Sequence, residues 1–175
     1  SDLYLNNRDE LIEETCNALK TKEDNLVHRV NALVEENKSL TKELHDVKAK
    51  MSLQSADKLM DSKVEVNGVN LVTAKFEDMD MNSLKEMADN LREKLQSGVV
   101  AISNVSDSKV NFVVTATKDV IDRGIHSGNI VKEIAKIAGG KGGGRPNMAQ
   151  AGATDATKID EALSYACEVI KSQVK

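Results

Sequence analysis

The chain has 175 residues, of which 40% are hydrophobic and 30% charged, with a formal net charge of −4. This balance excludes a wholly disordered chain, and no apolar run reaches the roughly 18 residues of a membrane helix. The two cysteines, Cys16 and Cys167, lie too far apart in sequence for a disulfide framework or a metal knuckle, so we expect a cytoplasmic location. Because the sequence opens on Ser1 inside a polar helical pattern, we expect a fragment of a longer protein.

A seven-residue repeat runs through the first fifty residues. Its d positions are all aliphatic, and they are Leu5, Ile12, Leu19, Leu26, Leu33, Leu40 and Val47. The a positions from residue 30 onward are apolar at Val30, Leu44 and Met51 and polar at Asn37. A repeat of this length predicts a left-handed coiled coil, with a helix over residues 5–53.

Residues 20–25 are a possible break in this helix. Glu23 puts a charge at an a position, and its neighbours include cap-like residues, so two shorter helices folded as a hairpin are an alternative. We favour self-association over packing of this helix on the chain's own second domain. A polar residue at one a position, here Asn37, favours a two-stranded coil with fixed register. Residues 1–60 are thus predicted to be an oligomerisation segment, with dimer contacts at Leu26, Val30, Leu33, Asn37, Leu40, Leu44 and Val47.

From residue 61 the heptads give way to short apolar runs. Residues 64–66 and 71–76 flank Asn67-Gly68, a strong signal for a β-hairpin turn. Residues 81–97 have the spacing of an amphipathic helix. Residues 99–102 and 110–114 are predicted to be buried strands, joined by a polar loop at 103–109.

The remaining third of the chain contains a glycine-rich run. We predict a helix over 128–138 with Ser127 as its N-cap, a glycine-rich loop at 139–144, a strand at 148–153 and a last helix from near Asp155. Successive glycines allow backbone N–H groups to converge on an anion, with Lys141 and Arg145 beside them. The alternative is a flexible connector. The alternation of strands and helices predicts that residues 62–175 form an α/β (α+β) domain.

Residues 139–152 read Gly-Gly-Lys-Gly-Gly-Gly-Arg-Pro-Asn-Met-Ala-Gln-Ala-Gly. This run closely resembles the signature of the C-terminal domain of alanyl-tRNA synthetase. The preceding Ile-His-Ser-Gly-Asn-Ile-Val-Lys-Glu-Ile-Ala at 125–135 fits the same family, as does a coiled-coil helix leading into an α/β module. Lys141 within the glycine run and Ala153, where a further glycine is common, depart from the family pattern.

The resemblance implies a module that binds the outer corner of tRNA, supports aminoacylation and editing by the parent ligase, and dimerises through its helical part. Its implied partners are alanine tRNA and a second copy of the chain. No cofactor is expected in this segment, whereas ATP, magnesium and an editing-domain zinc are implied for the parent enzyme. The candidate nucleic-acid-binding residues are Lys118, Arg123, His126, Asn129, Lys141, Gly142, Gly143, Gly144, Arg145, Asn147 and Gln150.

Charge and aromatic content indicate how RNA would be bound. Residues 109–145 carry seven Lys or Arg against three acids, a net +4, whereas residues 61–108 carry five against nine, a net −4. Only two Phe and two Tyr are present, and there is no Trp, so we expect contacts to phosphates and shape with little base stacking.

Catalysis is not predicted for this segment, because no histidine or cysteine has a recognisable base partner, and no metal site is predicted. Two other functions stay open. One is the substrate-binding half of a DHH-type phosphoesterase, a group that typically has histidine where this chain has Arg145. The other is a pure oligomerisation element.

Overall fold

A computed structural model describes residues 1–175, apart from the side chains of residues 49, 52 and 53. The chain divides into two compact units, Ser1–Met51 and Ser52–Lys175. The predicted fold class, long helices followed by an α/β (α+β) domain, is confirmed.

The first unit is helical and contains a break. Helix α1 (Asp2–Leu19) ends at Lys20, which adopts a left-handed conformation with φ 52°. A single 3₁₀ turn, Glu23–Asn25, precedes helix α2 (Leu26–Asp61). The continuous helix over 5–53 is therefore wrong, and the alternative break at residues 20–25 is correct. The backbone N–H of Thr21 donates to the Cys16 carbonyl at 3.0 Å, which closes the end of α1 as a C-terminal cap.

The second unit contains a six-stranded sheet in the order β1-β2-β3-β4-β6-β5. The strands are β1 (Val64–Val66), β2 (Val69–Glu77), β3 (Val99–Ser106), β4 (Lys109–Ala116), β5 (Lys141–Gly144) and β6 (Met148–Ala153). Strands β2 and β3 are parallel and are connected through helix α3 (Met81–Leu95), while all other neighbours are antiparallel. The β5 strand lies at one edge of this sheet.

Two hairpin turns place their central residues at positive φ. Asn67 and Gly68 have φ of 50° and 79°, which is the conformation expected of the predicted Asn-Gly turn. Asp107 and Ser108, at 49° and 63°, form an equivalent turn between β3 and β4. The predicted loop at 103–109 is therefore too long, because residues 103–106 are strand. Asn104 is buried there and bonds both backbone groups of Met79, which satisfies its polar side chain.

Each face of the sheet has its own hydrophobic core. One face packs against helices α5 (Ser127–Ile137) and α6 (Ile159–Gln173), with Phe112, Val114 and the alanines of β6 buried. The other packs against α3, where Leu84 and Leu91 are completely buried. Period-two alternation along the strands assigns neighbouring residues to opposite cores.

The N-cap of α5 is His126 and not the predicted Ser127. The Nδ1 atom of His126 accepts from the backbone N–H of Asn129 at 3.2 Å. Ser127 is instead the first helical residue and is completely buried, with its backbone N–H donating to the Pro146 carbonyl at 3.0 Å. The imidazole takes the capping role because Ser127 is held against the turn that leads into β6.

Candidate nucleic-acid interface

The glycine-rich run forms a strand where a loop is predicted. Residues Lys141–Gly144 are the edge strand β5, paired antiparallel with β6 from Lys141↔Gly152 to Gly144↔Ala149. A strand directs its N–H groups alternately to its two edges. The predicted convergence of successive N–H groups on one anion is therefore wrong, because the run is an extended strand.

The glycines of this hairpin fall into two classes. A Cβ added to Gly142 would lie 2.2 Å from the Cβ of Ala151, and one added to Gly144 would lie 2.7 Å from the Cα of Ala149. Close packing therefore requires glycine at both positions. In contrast, a Cβ added to Gly143 or to Gly152 would meet no atom within 4 Å. Packing does not explain why these two positions lack a side chain.

The sheet register places the open glycines on one face. Ala149, Ala151 and Ala153 of β6 are buried on the face covered by α5 and α6, whereas Gln150 and Gly152 between them are exposed. Gly143 pairs with Gln150, and Lys141 pairs with Gly152, so all four belong to the opposite face. We call the surface formed by Lys141, Gly143, Gln150 and Gly152 the glycine shelf.

The turn between β5 and β6 is held by its backbone and leaves two polar side chains exposed. The Arg145 N–H donates to the Met148 carbonyl at 3.0 Å, and the carbonyl of Asn147 accepts from the Ala116 N–H at 3.1 Å. The side chains of Arg145 and Asn147 are exposed at the end of the shelf. They supply one cationic group and one amide beside the bare strand.

Helix α5 brings His126 and Asn129 to the edge of the same hairpin. A Cβ on Gly128 would lie 2.4 Å from the Gly144 carbonyl oxygen, so the first turn of α5 packs closely on β5. The side-chain amide of Gln173 fixes the backbone of His126: it accepts from the His126 N–H at 3.0 Å and donates to the His126 carbonyl at 3.3 Å. Asn129 is exposed.

The structure does not bring Arg123 to the shelf. Its guanidinium donates to the carbonyls of Gly68 and Asn67, each at 3.0 Å, in the turn between β1 and β2. That turn belongs to the sheet edge opposite β5. Lys118 lies in the short helix α4 (Lys118–Asp122), where its ammonium pairs with Asp122 at 3.3 Å and its side chain is 90% exposed.

Sequence reasoning missed Gly152 as part of the open surface. The available signal was the alternation of small residues in Met-Ala-Gln-Ala-Gly-Ala, which assigns Gly152 to the same strand face as Gln150. The number of glycines in the sequence, ten, does not show at which of these positions close packing requires glycine and at which the backbone faces open space.

The described part of the chain has neither a metal-ligand cluster nor a membrane-spanning helix. No group of three or more His, Cys, Asp or Glu side chains there is arranged to hold a metal ion. None of the described helices combines the length and apolarity needed to cross a bilayer.

Relatives of known name match nearly the whole sequence. The chain is 73% identical over 172 residues to an alanine–tRNA ligase of Clostridioides difficile, and 46% identical over 171 residues to one of Acetivibrio thermocellus. Each match covers 98% of this chain, but the chain spans only about a fifth of the relatives' length, 20% and 19%.

A solved structure is similar as well. The C-Ala domain of alanyl-tRNA synthetase from Aquifex aeolicus is 29% identical, with a TM-score of 0.58, and the match covers 62% of this chain and 97% of that one. The resemblance to the C-terminal domain of alanyl-tRNA synthetase is thus confirmed. The family model of the DHHA1 domain matches residues 68–172, more than half of the sequence, and the chain belongs to the DHHA1 domain family.

Proposed function

We propose that this chain is the tRNA-binding and dimerisation module of an alanine–tRNA ligase. In this proposal the second unit binds the outer corner of tRNA through phosphate and shape contacts. That binding supports aminoacylation and editing by the parent enzyme in the cytoplasm, where ATP, magnesium and zinc act in other parts of the protein. The module itself contributes no catalytic residue.

The observation that carries the RNA-binding proposal is the open glycine shelf with cations at its border. Gly143 and Gly152 leave two positions of the β5–β6 surface without side chains, so a sugar–phosphate backbone or a base plane can approach the protein main chain closely there. Lys141 on the shelf and Arg145 at its end are both exposed, and neither has a described ion pair. Phosphate contacts of this kind orient an RNA without reading its sequence.

The shortage of exposed aromatic residues supports recognition by shape. Phe112 is completely buried, Phe76 is half-buried, and Tyr165 is 41% exposed on α6, which covers the other face of the sheet. A corner common to all tRNAs suits this chemistry. The module then adds affinity for tRNA without selecting alanine tRNA over others.

The helical unit supports the dimerisation part of the proposal. Along α2, Val30, Leu40, Leu44 and Val47 are between 40% and 57% exposed, and Asn37 lies exposed among them. Burying a fully exposed aliphatic side chain contributes about 1.5–3 kcal/mol, and these side chains are already about half covered, so a second copy would gain roughly half of that for each. Leu26 and Leu33 are half-buried already, so their contribution would be smaller.

Binding to transcribed alanine tRNA across a salt series tests the RNA-binding proposal. We expect a Lys141→Ala/Arg145→Ala variant to bind about tenfold more weakly. The slope of log K against log[salt] should become shallower by about 1.4–1.8, since each lost phosphate contact reduces it by about 0.7–0.9. The matched control is Lys158→Ala/Lys171→Ala, which removes two cations from the end and the outer side of α6.

A noncognate tRNA should bind equally well. If the shelf variant binds like wild type, or if neither tRNA binds, the RNA-binding proposal is wrong and oligomerisation is the main role of the segment. A manganese-dependent hydrolysis assay on short RNA tests the phosphoesterase alternative. That alternative predicts hydrolysis when the chain is joined to the metal-binding half of a phosphoesterase, whereas the RNA-binding proposal predicts none.

A further inference from the structure

A groove at the end of β4, between α3, α4 and the β5–β6 turn, lies near the Arg145 end of the glycine shelf. It has a volume of about 560 Å³ and is lined by the last turns of α3, the end of β4, helix α4 and the β5–β6 turn. This volume falls within the roughly 300–1,000 Å³ of small-molecule sites. We call it the α3 groove, and the lining residues that matter here are Arg92, Gln96, Ala116, Lys118, Ile121 and Asn147.

We propose that the α3 groove receives one unpaired nucleotide of an RNA whose backbone lies on the glycine shelf. The inference rests on the proposed RNA-binding function and extends it to a second contact site. Three observations support it: the chemistry of the lining, the continuity with the shelf, and the rigidity of the walls.

The lining has the groups that a nucleotide requires. Ile121, which is half-buried, provides apolar contact for a base, while the amides of Gln96 and Asn147 carry both donors and acceptors for its edge. Arg92 and Lys118 provide two positive charges for the phosphate, and Glu93 is the one acid in the lining. A lining of this kind distinguishes the groove from the bare shelf, which offers no side chains for a base edge beyond Gln150.

The two cations of the groove differ in how they are paired. Arg92 pairs with Asp89 at 3.0 Å one helical turn away, and its side chain is 27% exposed. Lys118 pairs with Asp122 at 3.3 Å and is almost fully exposed. The surface pair of Lys118 contributes only about 0.3–0.5 kcal/mol, so a phosphate can displace Asp122. The Asp89 Oδ1 atom that faces Arg92 is buried, so Arg92 keeps this pair and acts on a phosphate as a nearby charge.

The groove is joined to the shelf through Asn147. This residue ends the β5–β6 turn, and its carbonyl is tied to the Ala116 N–H in the floor of the groove at 3.1 Å. An RNA strand that follows the shelf past Arg145 therefore reaches the groove at the next residues of the turn. One strand can contact both surfaces without crossing a helix.

The opposite wall is held in place before any ligand binds. The backbone N–H of Thr117 donates to the Gly98 carbonyl at 3.0 Å, and the Gly98 N–H donates to the Thr117 hydroxyl oxygen at 2.9 Å. The hydroxyls of Ser97 and Thr117 both donate to the Asp119 carboxylate. These bonds connect the end of α3 to the start of α4, so ligand binding loses little conformational entropy in the wall.

The first experiment removes the charge of the groove. We expect Arg92→Gln/Lys118→Gln to weaken binding of transcribed alanine tRNA about tenfold and to lower the salt slope, with both effects absent in Lys158→Gln/Lys171→Gln. The control variant also loses two cations that pair with acids one turn away, at 3.0 and 3.1 Å. Nonspecific loss of charge would affect both variants alike and would contradict the proposal.

The second experiment reports on the base. Because the chain has no Trp, Glu93→Trp places a single indole at an exposed helical position of the groove and leaves the Gln96 amide in place, and a base that enters should quench its fluorescence on addition of the tRNA. Tyr165→Trp on α6 is the matched control and should not respond. If the Lys141→Ala/Arg145→Ala variant loses affinity while both groove experiments are negative, the RNA-binding function stands and the groove proposal is wrong. If no variant changes affinity, or the tRNA does not bind, both are wrong.

Discussion

At the scale of single residues, the neighbouring glycines Gly142 and Gly143 of β5 have different surroundings. Gly142 faces the core side, where a methyl group would lie 2.5 Å from the Ala151 Cα, while Gly143 faces open space. The two positions therefore allow structural and functional requirements for glycine to be measured separately. Adjacent substitutions with opposite consequences would be the most direct test of the shelf as a binding surface.

We expect Gly142→Ala to lower the free energy of unfolding by about 1–3 kcal/mol, because the strands must separate to admit the methyl group. Gly143→Val should leave stability within about 0.5 kcal/mol of wild type but weaken tRNA binding about tenfold, since its side chain would stand on the shelf. Chemical denaturation and a binding titration on both variants check this. Equal stability of the two variants would contradict the assignment of faces.

A pH effect is expected at Asp119. The Ser97 hydroxyl, and then the Thr117 hydroxyl, donate to this carboxylate and hold its pKa below the ordinary value. A lowered pKa means that the stabilisation is present above the unfolded value near 4 and is lost as the pH falls through the folded value. Asp119→Asn should therefore unfold slightly more easily than wild type at pH 7, and the difference should shrink below pH 4. Thermal melts across pH 3–7 measure it, and a constant difference would contradict the mechanism.

Among the elements, short helix α4 is fixed to the sheet by one cation. Arg123, directly after α4, uses both terminal nitrogens to bond the β1–β2 turn, and Asn67 and Gly68 in that turn have positive φ, so their carbonyls stand in a fixed orientation. The planar guanidinium matches two adjacent carbonyls, whereas a lysine ammonium is a single point charge. This contact explains why a basic residue inside the net +4 segment is not available at the glycine shelf.

Replacing Arg123 should affect stability more than RNA binding. We expect Arg123→Ala to lower the free energy of unfolding by about 1 kcal/mol and Arg123→Lys by less, with tRNA affinity changed less than in the Lys141→Ala/Arg145→Ala variant. Lys118→Ala, at the first residue of the same helix, is the stability control and should stay within about 0.5 kcal/mol. Denaturant titration and RNA binding on the three variants give the comparison. A loss of affinity without a loss of stability in Arg123→Ala would show that Arg123 contacts RNA instead.

For the whole molecule, the exposed aliphatic stripe of α2 predicts self-association. Leu40→Glu/Leu44→Glu should give a monomer at concentrations at which wild type is a dimer, because two carboxylates would have to be buried in the interface. Lys42→Glu changes the charge by the same amount at an f position of the heptad and should leave the dimer intact. Sedimentation equilibrium measures the difference. A wild-type monomer at all concentrations would contradict the proposed homodimer.

Dimerisation would also alter RNA binding by the complete protein. Two shelves joined through their helical units can bind two tRNA molecules, or contact one RNA at two places, with an affinity that depends on the distance between the sites. Comparing tRNA stoichiometry for wild type and for Leu40→Glu/Leu44→Glu separates these cases. Loss of affinity in the monomeric variant, with the shelf unchanged, indicates that both copies contact one RNA.

Local patterns in the sequence predicted most of the elements. The Asn67-Gly68 turn, the amphipathic helices and the apolar strands follow from turn chemistry and from periods of 2 and 3.6 residues, which involve only near neighbours in the chain. Tertiary pairing decided the rest. It makes the run at 141–144 an edge strand, exposes Gly143 and Gly152, and gives the cap of α5 to His126.

Charge was the least predictable property of the candidate site. Arg92 comes from a segment with a net charge of −4 yet lines the groove beside Lys118, whereas Arg123 comes from the basic segment and is bound at the opposite edge of the sheet. The sequence by itself determined most of the elements, because these depend on residues a few positions apart. Only the tertiary structure decided which cations share a surface, because strand order and register bring together residues that are distant along the chain.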